Sequence, residues 1–273
     1  MKTIIKIILA LTACYSPAFS YGGPPPPPFY SAKTHNAVFQ PPLNFSRENQ
    51  SVLFAHFTYT AAPDINGRID LQGTGTDYSG LVNGKNFEWD LPHMNFKMGV
   101  FPSVSENTSL LLSFHGDAAE GNLKLNGFDI GLTYNVISRD DHYVRFGFGL
   151  DFHRNDFFWV QSLNSPAKEC INFDYDPFIL LLYNANRDDW LLNPFFQISF
   201  CRQTLLDDDE YSTSDYDQEV YFNMNIITFT PGLNYKWGNN KLISFGAMMY
   251  YYDGIENSRQ FLLTPFVQLN LQL

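Results

Sequence analysis

The sequence predicts an all-β fold, a closed antiparallel barrel of about ten strands. Three observations lead to it. Aromatic residues make up 17% of the 273 residues, while charged residues make up only 16%, against roughly 25% in an ordinary soluble domain. Apolar and polar residues alternate over long stretches of the chain. The connections between these stretches are short and long in turn. A polytopic helical protein is disfavoured because no apolar run reaches the ~18–20 residues of a membrane-spanning helix.

Residues 1–20 are expected to form a cleaved signal peptide. Lys2 and Lys6 precede a short apolar run, and small residues follow it before Tyr21. A positive segment, an apolar segment and a cleavage site in this order are typical of secretory signals. The run Leu11 to Cys14 also resembles a lipobox, in which Cys14 would carry a lipid. Both readings of this segment stay open.

Residues 21–50 are interpreted as a proline-rich periplasmic lead-in, and residues 51–273 as the barrel. Five consecutive prolines, residues 24–28, favour an extended spacer. The rest of the lead-in has no sustained period and is expected to add one short strand or a partial plug. Without the signal peptide the chain keeps 15 of its 17 basic residues and all 28 acidic ones, a net charge of −13. This charge argues against a nucleic-acid partner.

The strands are predicted from alternation of apolar and polar residues. In residues 128–136, for example, Phe, Ile, Leu, Tyr and Val alternate with Asp, Gly, Thr and Asn. A period of two places each set on one face of a strand. Ten strands are expected, at about residues 51–61, 91–101, 109–116, 126–137, 143–154, 175–184, 190–202, 220–236, 241–252 and 259–272. Eight or twelve strands remain alternatives, because a hairpin gained or lost in residues 65–90 or 36–46 would change the number.

The connections indicate how the barrel is oriented. Four are short, at residues 102–108, 138–142, 185–189 and 237–240, and they alternate with long ones at 62–90, 117–125, 155–174, 203–219 and 253–258. Short turns at one end and long loops at the other are typical of transmembrane barrels, in which the short turns are periplasmic. The apolar faces are then expected to meet lipid and the polar faces to line the lumen. Tyr and Trp near the strand ends are expected to form interfacial girdles.

The last strand carries the resemblance to a known class. Its apolar residues occupy every second position up to the C-terminus, namely Phe261, Leu263, Pro265, Val267, Leu269, Leu271 and Leu273. This strand resembles the C-terminal assembly signal of bacterial outer-membrane β-barrel proteins, although it ends in Leu273 where that class usually has Phe or Trp. The resemblance implies the outer membrane of a Gram-negative-type bacterium, contact with its lipid, and recognition by the barrel-assembly machinery. It implies no particular activity or loop partner.

Two sets of loop residues are candidates for cross-linking or metal binding. A turn near residue 187 would place Cys201 opposite Asp174, close to Cys170, so these two cysteines are a candidate disulfide; two free thiols are the alternative. The carboxylates of Asp207, Asp208, Asp209 and Glu210 are a weak candidate for a divalent metal. A solvated acidic loop is the favoured interpretation, so neither a metal nor a cofactor is expected.

The lumen is expected to contain polar and charged side chains of both signs: His56, Lys97, His115, Asp129, Arg145, Asp151, His153 and Lys236. In a small barrel such charges usually pair into a plug of salt bridges. No Ser-His pair occurs close in sequence. The set Asp151, His153 and Asp156 resembles only weakly the rim of ten-stranded outer-membrane proteases. No catalytic residue and no enzymatic activity are therefore predicted.

The function expected from these observations is that of a narrow porin-like channel or an envelope structural protein with acidic extracellular loops. Two alternatives are kept. One is a surface adhesin or ligand-binding barrel that uses its long loops. The other is a soluble periplasmic β-protein that holds an apolar ligand, in which the apolar faces would point inward.

Overall fold

The computed structural model describes residues 31–34, 40–43, 51–61, 64–73, 82–119, 122–160, 168–208, 220–238, 240–255 and 261–273. Within these ranges no helix is long and apolar enough to cross a membrane. The same ranges contain fourteen strands, which are β1 (Ser31–Thr34), β2 (Val52–Tyr59), β3 (Asp64–Gly73), β4 (Val82–Asp90), β5 (Met94–Phe101), β6 (Ser103–Ser105), β7 (Thr108–Ala119), β8 (Asn122–Ser138), β9 (His142–Val160), β10 (Lys168–Ala185), β11 (Leu192–Asp208), β12 (Val220–Lys236), β13 (Lys241–Tyr252) and β14 (Phe261–Gln272).

Ten of these strands close into one antiparallel barrel. Each is paired with the next in the order β2, β5, β7, β8, β9, β10, β11, β12, β13 and β14. The seam is the pairing of β14 with β2, in which Phe266 lies opposite Thr58 and Gln272 opposite Val52. The closed antiparallel barrel of ten strands predicted from the alternation is therefore confirmed.

The two ends of the barrel differ, as the connections predicted. One end, here called the short-turn end, carries the connections at residues 102–107, 139–141, 186–191 and 237–240. At the opposite end, the loop end, strands β8 to β12 continue to lengths of 17 to 19 residues. One connection predicted to be long is short, because β7 runs to Ala119 and β8 starts at Asn122. These strands simply extend beyond the segment in which apolar residues alternate.

The long connection predicted at residues 62–90 contains the hairpin of β3 and β4. At the loop end β3 pairs with β12, and β1 lies between β4 and β9. Strands β9, β10, β11, β12, β3, β4 and β1 thus form a second, smaller ring of seven strands. A hairpin in residues 65–90 was kept as an alternative, and β3 does alternate, with Ile65, Ile69 and Leu71 between polar residues. Because β3 and β4 lie outside the barrel wall, the wall still has ten strands.

The outer surface of the barrel is apolar, as predicted. On β8, Phe128, Ile130, Leu132, Tyr134 and Val136 are between 37% and 54% exposed. On β14, alternate residues from Phe261 to Leu271 are exposed, and the residues between them are buried. This is the surface that a barrel presents to lipid, and it is the opposite of a soluble barrel with an apolar cavity.

Two aromatic residues expected in the interfacial girdles, Trp89 and Tyr143, are buried instead. Tyr59, Tyr134, Trp190 and Trp237 are exposed, as a girdle requires. Trp89, however, is buried and packs edge-on against Tyr252. Trp89 belongs to the β3–β4 hairpin, which folds against the loop end of the barrel and shields it from solvent.

The inside of the barrel is less uniformly polar than predicted. Phe178, Leu180 and Leu182, all on β10, point inward and are at most 2% exposed. On this strand both faces are apolar over residues 178–182, so the sequence could not indicate which face is inside. Polar residues line most of the remaining wall, and the lumen is filled by both kinds of side chain.

Candidate functional site

A short part of the N-terminal region lies inside the barrel. Residues 40–43, here called the lumen segment, are all buried. The Leu43 amide donates to Gln197 Oε1 at 3.0 Å, and Gln197 Nε2 donates to the Pro41 carbonyl at 3.2 Å. Gln268 Nε2 donates to the Pro42 carbonyl at 2.8 Å. Part of the segment interpreted as a lead-in therefore occupies the lumen; the domain boundaries at residues 20 and 50 stay predictions.

Arg145 fixes the lumen segment from a third strand. Its Nη1 donates to the Leu43 carbonyl at 2.8 Å, and its Nε donates to Asn135 Oδ1, also at 2.8 Å. The guanidinium carbon lies 4.9 Å from the centre of the Tyr143 ring. A β-bulge at Asn135–Ile137 adjoins this contact. Because Arg145 is buried, these acceptors and the aromatic face replace the water that its charge would otherwise bind.

Nearer the loop end the lumen contains a cluster that we call the charge network: Lys97, His115, Asp129, Asp151, His153 and Asp176. Lys97 Nζ lies 2.8 Å from Asp129 Oδ1 and 3.7 Å from Asp151 Oδ2. His115 Nε2 lies 3.0 Å from Asp151 Oδ2. His153 Nδ1 lies 3.2 Å from Asp151 Oδ1 and 3.6 Å from Asp176 Oδ2. All six residues are 9% exposed or less.

The strand registers explain why these side chains meet. Lys97 on β5 lies opposite His115 on β7, Asp129 on β8 lies opposite Asp151 on β9, and Asp176 on β10 also lies opposite Asp151. All of them point inward, so five neighbouring strands contribute to one level of the lumen. Ser113 Oγ donates to Asp129 Oδ2 at 2.6 Å and completes the pairing of that carboxylate.

The wall is irregular where His115 is seated. A β-bulge separates His115 from Gly116, and bulges change the direction of neighbouring side chains. Across the pair, a Cβ added to Gly127 would lie 2.7 Å from His115 Nε2. The same Cβ would lie even closer to the Phe152 carbonyl oxygen, so the backbone of β9 and the imidazole both leave room only for glycine at position 127.

At the short-turn end a layer of amides lines an open cavity of about 570 Å³. Asn234 donates to Asn184, and Ser244 Oγ donates to Asn234 Oδ1 at 2.7 Å. Asn193 and Asn270 line the same cavity. Lys236, predicted to be a lumen residue, lies at the rim of the cavity instead and pairs with Asp188. This hydrogen bond to Lys236 lowers the pKa of Asp188.

The other candidate residues are placed as follows. His56 is buried in the lumen, with Nδ1 3.2 Å from Gln268 Oε1. Asp156 lies beside Lys124 and Arg154, at 3.0 and 2.6 Å. Asp151 and His153, which resembled part of a protease rim, lie in the buried charge network. The predictions for Cys14, for Asp209 and Glu210, and for the side chains of Asp207 and Asp208 fall outside the described residues.

The disulfide prediction was wrong. Cys201 is a free, buried thiol and lies opposite Phe178 on β10. Cys170 is eight residues farther along that strand, roughly 26 Å away at ~3.3 Å per residue, whereas a disulfide needs Cα atoms within ~7 Å. The error came from the position of the turn, because the observed pairing of β10 and β11 centres the turn between residues 189 and 190 rather than at 187.

Sequence reasoning missed several residues of the site. Asp176 is not among the predicted lumen residues, yet it is fully buried and accepts from the Thr204 amide at 2.8 Å. Asp176 is separated from Leu180 and Leu182 by an even number of residues, so it lies on the same, inward face of β10 as these two residues. The lumen segment gave no signal, since residues 40–43 have no period.

Comparisons with known proteins add little to this geometry. No protein-family model matches the chain, and no curated protein matches it. Among solved structures, the chain is similar to the N-terminal β-barrel domain of Pseudomonas aeruginosa OprF, with 11% identity, 82% of this chain and 99% of that chain covered, and a TM-score of 0.31. It is also similar to the β domain of the Bordetella autotransporter BrkA, with 8% identity, coverage of 82% and 100%, and a TM-score of 0.40.

A third similar structure is the outer-membrane protease OmpT from Escherichia coli, with 9% identity, 82% of this chain and 97% of that chain covered, and a TM-score of 0.41. At these identities and TM-scores the similarity supports no inference about activity or family. The assignment to a class rests on the chain's own structure. Ten strands close completely, the outer surface is apolar, and the lumen is filled by side chains that include a buried charge network. That is the architecture of a bacterial outer-membrane β-barrel.

Proposed function

We propose that this protein is an integral outer-membrane barrel whose lumen is closed at rest, and that it serves as a structural component of the envelope. The observation that carries the proposal is the lumen segment, which is hydrogen-bonded to Arg145 on β9, Gln197 on β11 and Gln268 on β14. Three strands around the wall thus hold the same four residues. A continuous water path would require these bonds to break.

The charge network supports the same proposal. Its side chains come from five strands and pair across the lumen between the lumen segment and the loop end. Buried ion pairs of this kind are costly to separate, because each charge would be left without its partner in a medium of low polarity. Barrels of eight strands are nearly filled by side chains and those of sixteen contain an aqueous channel, so ten strands are consistent with a closed lumen.

The test is conductance in a planar lipid bilayer with the refolded full chain. We expect no steady conductance from the wild type. The double variant Gln197→Ala, Gln268→Ala removes two side chains that hold the lumen segment and should show frequent openings. Gln203→Ala is the matched control, because Gln203 is equally buried on the same strand β11 and has no hydrogen bond to the lumen segment. A steady open conductance of the wild type would contradict the proposal.

A narrow porin-like channel is the second candidate. The observation that favours it is the open cavity of about 570 Å³ at the short-turn end, which is large enough to admit a small solute. If the lumen segment moved aside, this cavity would be the entrance to a continuous path. Openings of the double variant with a preference for cations would support this candidate, since the chain is strongly acidic.

We also propose that the short turns face the periplasm, that the outer surface contacts outer-membrane lipid, and that the barrel-assembly machinery recognises β14. The apolar alternation of β14, which ends at the C-terminus and forms the seam with β2, supports this. Truncating the last three residues should leave unfolded, protease-sensitive chain in the periplasm of the expressing cell. Normal assembly of the truncated chain would argue against recognition through β14. Adhesion or ligand capture by the long loops stays a prediction.

A further inference from the structure

The charge network contains buried polar atoms that take part in no hydrogen bond, although three of them lie within ion-pair distance of another member. Among the described residues, His115 Nε2, Asp151 Oδ2, His153 Nε2 and Asp176 Oδ2 are buried and have no hydrogen-bond partner. In native proteins the large majority of buried side-chain polar atoms have one, and leaving one without costs roughly 1–3 kcal/mol. The four atoms lie in one cluster, where a single further group could contact several of them.

The geometry indicates what kind of group this is. His115 Nε2 and Asp151 Oδ2 lie 3.0 Å apart, but they are not aligned as a hydrogen bond. Two atoms that each lie ~2.0–2.2 Å from one metal ion are themselves about 3–4 Å apart. One ligand atom from each of His115, Asp129 and Asp151 lies within 4.8 Å of the others. Two of the three therefore already have the spacing of metal ligands, and a rotation of Asp129 would supply the third.

The charge of the cluster points the same way. Its six side chains include three carboxylates, of Asp129, Asp151 and Asp176, and one ammonium, of Lys97. The carboxylates thus outnumber the ammonium by two. Excess charge in a buried site is unfavourable. A divalent cation bound among the carboxylates would offset this excess.

We propose that the lumen binds one divalent transition-metal ion between His115 Nε2 and the carboxylates of Asp129 and Asp151. The proposal is independent of whether the lumen conducts. An imidazole nitrogen with carboxylate oxygens suits zinc or manganese, whereas calcium takes six to eight oxygen ligands. The ammonium of Lys97, which contacts both carboxylates, competes with the ion for them.

The local backbone is consistent with a built site. The bulge after His115 and the absence of a side chain at Gly127 both serve to seat this imidazole in the lumen. Bulges are frequent beside functional sites, where they re-aim a side chain.

The experiment is zinc titration of the refolded full chain in detergent by calorimetry, with metal content measured after dialysis. We expect one tightly bound Zn²⁺ per barrel and no heat from Ca²⁺. His115→Gln should weaken the binding by about tenfold or more, the range seen even for residues one shell further from a metal. His142→Gln, the same substitution at the first residue of β9 at the short-turn end, should leave it unchanged. Lys97→Met should strengthen it by removing the competing ammonium.

Heat-modifiable gel mobility establishes that each variant is folded. The proposal is overturned if neither the wild type nor Lys97→Met binds zinc, or if His115→Gln binds as tightly as His142→Gln. Should His115→Gln fail to fold, X-ray absorption of the zinc-loaded wild type decides instead. A spectrum that shows at least one imidazole and oxygen ligands bound to zinc supports the proposed site. A spectrum that shows no imidazole bound to zinc overturns the proposal.

Discussion

Leu43 is the residue at which the lumen segment meets the barrel wall. It is fully buried, and its Cδ1 lies 3.0 Å from the position that a Cβ on Gly147 would occupy. The same position is 3.0 Å from Leu180 Cδ1. A glycine on β9 therefore provides the space in which Leu43 packs against β10. Apolar contact and hydrogen bonding act together at this one point.

Leu43→Ala should lower the free energy of unfolding by about 2–5 kcal/mol, the range for removing a buried Leu side chain. Urea unfolding followed by tryptophan fluorescence measures it. Leu191→Ala is the matched control, because Leu191 is 74% exposed in the turn before β11, and it should change the stability little. Equal effects of the two variants would contradict the placement of Leu43 in the lumen.

Asp188 at the short-turn end gives a prediction about pH. Its hydrogen bond from Lys236 lowers its pKa, so the pair should stabilise the folded chain above the ordinary Asp pKa. This contribution is lost as pH falls through the lowered value. Carboxyl chemical shifts should give Asp188 a midpoint below that of a model Asp, and Lys236→Gln should raise the midpoint. An unchanged midpoint in Lys236→Gln would show that the pair does not form in solution.

Among the elements, β8 illustrates how far alternation predicts a strand. Its outward residues from Phe128 to Val136 are exposed, and Asp129, Thr133 and Asn135 between them are buried, as predicted. On β10 the same rule fails, because residues 178–182 are apolar on both faces. The sequence therefore did not predict that Asp176 is buried or that Phe178 lies opposite Cys201. Both depend on the register between strands, which pairing across the whole sheet determines.

Leu132, at the middle of the outward face of β8, tests the lipid-facing surface. Leu132→Arg should destabilise the barrel by about 2–4 kcal/mol, the cost of a charge near the bilayer midplane. Unfolding in lipid vesicles measures it. Leu191→Arg, outside the spanning strands, should cost much less. If Leu132→Arg is equally tolerated in vesicles, this face does not meet lipid.

At the scale of the whole molecule, the barrel and its contents were predictable to different degrees. Lipid offers no hydrogen bonds to the backbone, so a sheet that spans the membrane must close on itself. The strands of such a sheet have one apolar face, and this alternation, together with the lengths of the connections, can be recognised in the sequence. The lumen segment and the strands β1, β3 and β4, which complete the seven-stranded ring, lie outside the barrel wall, so contact with lipid does not constrain their sequence. Strands β1, β3 and β4 pair through their backbones at the loop end, where water tolerates most side chains. The alternation of apolar and polar residues in β3 therefore indicates a strand but not its position outside the barrel wall.

The lumen segment also has a mechanical consequence. Strand β1 is held at the loop end by β4 and β9, residues 41–43 are held at mid-lumen, and β2 begins at the short-turn end. A force on the chain from its N-terminal side would therefore load β1 first, along the direction of its strand, and its pairings with β4 and β9 would resist together. Only after β1 had slipped would tension reach Arg145, Gln197 and Gln268. Because β1 bears such a force first, the ring of seven strands protects the hydrogen bonds that hold the lumen segment in place.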